Sequence, residues 1–181
     1  MSDQQFSPVS FQICWDLGKE SSLYIGDNSH GPPASSPQAN AYWYIVVSSL
    51  DLSIVFNEVT VDNANYPSGL DAYLGSSEYY VFISTRNLAA NHLPVGSLYS
   101  LLEKLGATSN LTKVLQIANQ LGTGGLPTGL ATYSIAANTD LTGNTAFDQY
   151  SFFDSDVVLV PLKFGAVTVA GKTVWVLGQL T

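Results

Sequence analysis

Cations are scarce in this chain: it has six Lys and Arg in 181 residues, against fourteen Asp and Glu. Nucleic-acid surfaces act by counterion release from clustered Lys and Arg, and here none cluster, so nucleic acid is excluded as a partner. The net charge of −8 also sets the chain against an anionic membrane surface. Charged residues of both signs make up 11%, less than half the usual share. The polar surface must therefore be built from Ser, Thr, Asn, Gln and Gly. Such surfaces suit extracellular proteins and subunits that pack against copies of themselves, because Lys is depleted from interfaces.

Cysteine is almost absent. Cys14 stands alone, so no intrachain disulfide can form, and between Ile13 and Trp15 it reads as a buried, inert thiol. Histidine is nearly absent too. His30 and His92 both fall in predicted loops, and no Gly-x-Ser-x-Gly turn presents a serine to either. The chain is expected to be non-enzymatic and to need no cofactor. No apolar run approaches the roughly 20 residues that span a bilayer, so membrane insertion is not expected. The opening MSDQQFSPVS has neither a basic head nor an apolar stretch, so no cleavable signal is read there. An extracellular or cell-surface location would need another export route, and a cytoplasmic one stays open.

Apolar patterning is plentiful. Glu78–Arg86 (EYYVFISTR) runs five apolar or aromatic residues together, which requires cover on both faces and predicts the central strand of a sheet. Pro8–Asp16 alternates apolar and polar residues as a half-buried strand, and Ser21–Ile25 reads as its return. Gly26–Asn40, with three prolines, reads as loop throughout. Ala41–Val47 and Leu52–Val61 form a predicted hairpin. Ser68–Leu74 reads as a short helix with Ser68 as its N-cap and Gly75 as its stop.

Two longer helices follow. Val95–Leu105 has Leu98, Leu101, Leu102 and Leu105 on one face and ends at Gly106. Ser109–Leu121 has a stripe of Leu111, Val114, Leu115 and Ala118 and ends at Gly122. The loop Gly122–Gly129 is glycine-rich, but it follows a helix and carries no Lys, so it is not a phosphate cradle. Later strands are predicted at Leu130–Ala137, Thr145–Ser151, Val157–Phe164 and Ala166–Leu177. The last of these carries the turn Ala170-Gly171-Lys172, and Pro161 suggests an edge strand or a bulge. Short strands with helices grouped mid-chain imply an α+β fold with an antiparallel or mixed, β-sandwich-like core. A single domain over residues 1–181 is the simplest organisation.

Asp148, Asp154 and Asp156 come close together, but they lack the glycine and closing Glu of a calcium loop, so the expectation is no metal. Aromatics are the other candidates: Trp15, Tyr24, Tyr42, Trp43, Tyr44, Tyr66, Tyr73, Tyr99 and Tyr133 offer an apolar face with a polar tip, suited to sugar rings and interfaces alike. If strands 79–85 and 130–137 are parallel neighbours, Arg86 and Asn87 meet Asn138, Thr139 and Asp140 at one edge. The planar groups of Arg86, Asn87, Asn138 and Asp140 would then form a sugar-binding site, or Arg86 and Asp140 a structural salt bridge.

The order of motifs across residues 41–151 resembles the interleukin-like EMT inducer (ILEI)/PANDER-like domain. YWYIVVSSLDLSIVFNEVTV matches its opening strand–turn–strand, and GLDAYLGSSEYYVFISTRN its short helix leading into an apolar strand. SLYSLLEKLGATS matches its helix with a Leu-Gly stop, and LATYSIAANTDLTGNTAFDQYS its late strand and turn. Strands over residues 8–25 and a hairpin over 157–177 would be additions to that core. Animal members carry paired cysteines, and their late strand runs into a glycine pair where this chain has Ala136-Ala137-Asn138. The resemblance implies a non-catalytic recognition module, lectin-like and secreted, that binds a glycan or protein partner. Low charge and edge-rich β-structure support a second reading: a homo-oligomeric, self-assembling subunit of a surface layer, filament or particle.

Overall fold

The computed structural model describes residues 6–13, 21–86, 88–107, 109–123, 131–143, 145–152 and 158–179. Among these residues ten strands form two five-stranded sheets, with every ladder antiparallel. The first sheet holds β1 (Phe6–Ile13), β2 (Ser22–Ile25), β3 (Asn28–His30), β9 (Val158–Val169) and β10 (Lys172–Gln179), in the order β10-β9-β1-β2-β3. The second holds β4 (Ala41–Ser48), β5 (Ile54–Thr60), β6 (Tyr79–Arg86), β7 (Ala131–Asn138) and β8 (Ala146–Phe152), in the order β5-β4-β6-β7-β8. Helices α1 (Gly96–Leu105) and α2 (Ser109–Thr123) and 3-10 turns at Ser68–Ala72 and Ala90–His92 are the other elements among the described residues.

The run YYVFISTR is the middle strand of its sheet, as its lack of alternation requires. On one face of β6, Val81 and Ile83 join Tyr42, Tyr44 and Val46 of β4, Ile135 of β7 and the leucine stripe of α1 in one core. On the other face, Tyr80 and Phe82 join Trp43, Ile45 and Val47, and meet Leu23, Leu162, Phe164 and Leu177 of the first sheet in a second core. The second sheet is thus the middle of three layers. Phe164 reaches across to two of the three β6 aromatics, with ring centroids 5.4 Å from Tyr80 and 6.4 Å from Phe82.

Several expectations are corrected. The stretch 26–40 is not all loop: Gly26, at φ 59°, opens a two-residue turn that pairs Ile25 with Asn28 and creates β3. Ser68 caps no helix; Pro67 precedes a 3-10 turn whose carbonyls bond three residues on, Leu70 N–H to Pro67 and Tyr73 N–H to Leu70. The last turn of α2 runs through Gly122.

The final hairpin does not break near Gly165. β9 continues to Val169, and the turn is Ala170-Gly171, both at positive φ. Pro161 is in neither an edge strand nor a bulge. β9 lies between β10 and β1, and its pairing with β1 runs through Ser10–Pro161 with no shift in register. Cys14, Trp15, the turn at 17–20 and most of the glycine-rich loop lie outside the described residues.

Candidate functional site

β6 and β7 are neighbours, but they run antiparallel, which separates the residues expected to meet. Tyr80 pairs with Asn138, whereas Arg86 lies at the other end of β6 opposite Ala41 of β4. Six residues of strand, roughly 20 Å, stand between them. Neither the shared sugar site nor an Arg86–Asp140 salt bridge is therefore formed.

Each partner has a local duty instead. Arg86 is buried, and its guanidinium donates to the Pro37 carbonyl at 2.7 Å. With the Asn40 side chain, which accepts from Ala89 N–H at 2.8 Å, it pins the loop before β4 to the end of β6. Asn138 donates to Ser77 O and accepts from Asp140 N–H, and the Asp140 carboxylate accepts from the Thr142 N–H and hydroxyl at 2.9 and 2.8 Å. These bonds close the β7–β8 turn. Asn87 lies outside the described residues.

Asp148 accepts from the Tyr133 hydroxyl at 3.0 Å and from Asn110 at 2.9 Å, tying α2 to β8. Asp154 and Asp156 lie outside the described residues, and among the described ones no three His, Cys, Asp or Glu gather to hold a metal. His30 is in β3. His92 ends a short turn whose carbonyl accepts from the Tyr42 hydroxyl, and its ring pairs with Asn91 at 3.0 Å. Among the aromatics, Tyr42, Trp43, Tyr44 and Tyr133 are core. Burial pushes the hydroxyls of Tyr42, Tyr44 and Tyr133 far up, so they stay protonated.

Among the described residues an open concave surface lies elsewhere, on both sides of Tyr99. Its construction starts at the N-terminus of α1, where the sequence supplies no capping side chain. The loop after β5 does that work. Asp62 accepts from Ala64 N–H (2.8 Å), Asn65 N–H (3.0 Å) and the Asn65 amide (3.0 Å), folding the loop on itself. The loop carbonyls then take the helix's free donors: Asn63 O from Val95 N–H at 2.8 Å, and Ala64 O from Leu98 N–H at 3.1 Å and Ser97 Oγ at 3.1 Å. Gly96, at φ 56°, permits the approach; a Cβ there would sit 2.9 Å from Ala64 O.

One groove of about 460 Å³ opens above this junction, lined by Asn63, Asn91, Val95, Tyr99, Leu115 and Asn119 among others, with no charged side chain in its wall. A second, of about 660 Å³, lies on the other side of Tyr99 and adds Glu103, Lys113, Thr112 and Gln116. Glu103 accepts the Tyr99 hydroxyl one helical turn on, which raises the tyrosine's pKa above its usual value and holds the ring between the two grooves. An aromatic face beside three neutral amides can stack on one face of a sugar ring and hydrogen-bond its hydroxyls.

Asn63, Asn91 and Asn119 were not singled out in the sequence. They come from three separate segments, and no local signal marks them. The chain matches no protein-family model and no curated protein.

Proposed function

We propose that this chain is a non-catalytic recognition module of β-sandwich build, ILEI-like in the order of its core elements, that binds carbohydrate in the grooves beside Tyr99. The observation that carries the reading is the uncharged wall of Asn63, Asn91 and Asn119 next to a half-buried tyrosine ring. It suits a neutral saccharide, whose affinity comes from stacking and amide hydrogen bonds rather than from charge. An extracellular or cell-surface setting fits that ligand.

A glycan array with wild type, Tyr99→Ala and Asn119→Ala tests it. A neutral-glycan hit that both variants lose, with unchanged melting, is the expected outcome. A hit that survives both substitutions, or a blank array, removes the reading.

Self-assembly through strand edges is the second reading, and it would have to accommodate contacts that edge strands already make. Trp175 N–H of the edge strand β10 donates to Ser49 O at 2.7 Å. Val55 O of β5 accepts the Tyr73 hydroxyl at 2.9 Å, and Asp148 O of β8 accepts the Asn110 amide at 2.9 Å. Each of these three edge strands thus has one backbone group engaged within the monomer.

A further inference from the structure

Two surfaces of the molecule are complementary in both charge and apolarity. The first is the outer face of the β9–β10 hairpin. Leu162, Phe164 and Leu177 point into the core, so the alternation places Lys163, Val167 and Val169 of β9 and Lys172, Val174 and Val176 of β10 outward. Val167, Val169 and Val176 are 42%, 59% and 43% exposed. Residues 158–179 contain Lys163 and Lys172 and no Asp or Glu, in a chain of net charge −8.

The second surface is the flank around β5. Between residues 21 and 85 there are six Asp and Glu and no Lys or Arg. Five of the six, Asp51, Glu58, Asp62, Asp71 and Glu78, are exposed on β5 and the segments bordering it. Leu50 and Val61, 51% and 54% exposed, sit directly beside Asp51 and Asp62 at the two ends of β5.

We propose that the β9–β10 face of one copy docks on the β5 flank of a second copy. Valines would meet Leu50 and Val61, and Lys172 would meet the carboxylates. Different patches are used on the two partners, so the contact is heterologous and builds a ring or an open assembly rather than a closed pair. It needs no strand pairing across an edge and does not depend on the glycan reading.

Light scattering on full-length protein across a concentration series tests this, at low salt and at about 1 M salt, where charges are screened beyond ~3 Å. Association at low salt that weakens in high salt is expected. Val176→Asp should abolish it, and Lys172→Glu should raise the dissociation constant at least tenfold, with circular dichroism melts unchanged for both. Glu58→Lys should also be monomeric alone, yet mixing it with Lys172→Glu should restore association. Wild type that stays monomeric at every concentration, or association indifferent to Val176→Asp and Lys172→Glu, would overturn the proposal.

Discussion

The two sheets carry opposite loads. The second is covered on both faces, by the first sheet on one side and by α1 and α2 on the other, and its strand β4 is buried over its whole length. Among the described residues the first is covered on one face only, and beyond Gly165, the last residue of β9 paired with β1, its hairpin presents exposed valines. Burial differs because cover differs. β4 is buried at every position, whereas Leu162 and Phe164 of β9 are buried and Lys163 and Gly165 next to them are only half-buried, although β10 carries the continuous apolar run Val174–Leu177. The contrast separates stability from recognition: substitutions in β4 and β6 should act on folding, and those on the outer hairpin on contacts.

Phe82→Asp probes the contrast most severely. Phe82 is fully buried between the sheets, and an unpaired charge there costs several kcal/mol, on the order of the whole stability. The variant should fail to melt cooperatively; a soluble, cooperatively melting one would dissolve the three-layer account.

Gly106→Ala comes next. This residue caps α1 at φ 104°, donating to Glu103 O, and a Cβ would lie 2.8 Å from the Ala146 Cβ and 2.9 Å from Gly143 O. Strain and overpacking together should cost about 2–4 kcal/mol in chemical denaturation. Tyr73→Phe removes only the hydroxyl bond to Val55 O and should cost about 1 kcal/mol. Val169→Thr on the exposed hairpin should change stability by less than about 0.5 kcal/mol. A larger effect would mean that face is covered within the monomer.

The smallest effect is in pH. Hydrogen bonds from the Asn65 amide, then from Ala64 and Asn65 N–H, hold the Asp62 carboxyl below its ordinary pKa. A depressed folded pKa adds stability that is full above the unfolded value, about 3.9, and is lost as pH falls through the folded one. Melting temperature should therefore fall with acidification below about pH 4. In Asp62→Asn that part of the slope should flatten, and an unchanged slope would leave the loop's carboxylate without a role.

How far the chain could be read follows from what each feature depends on. β6 was legible because five consecutive apolar residues admit no other placement, and α1 because four leucines and a C-terminal glycine fix its face and end. The direction of β7 against β6 was not, since it depends on how the chain returns through α1 and α2, which no residue in either strand encodes. That single unknown separated Arg86 from Asn138. β3 was hidden by a loop-like composition in which one glycine at positive φ makes the turn. Tyr99 stood among many aromatics, and nothing in sequence distinguished it from the core tyrosines. Only the packing of the 62–65 loop against α1 brings Asn63 beside it.

The central claim is that recognition belongs to the Tyr99 grooves. Amide shift mapping of isotope-labelled protein, titrated with a neutral oligosaccharide taken from the array, tests it most directly. Shifts should concentrate at Asn63, Asn91, Tyr99 and Asn119 and be absent from Arg86, Asn138 and the outer hairpin. Shifts centred on Arg86 or Asn138, or on Val167–Val176, with the Tyr99 region silent, would contradict it.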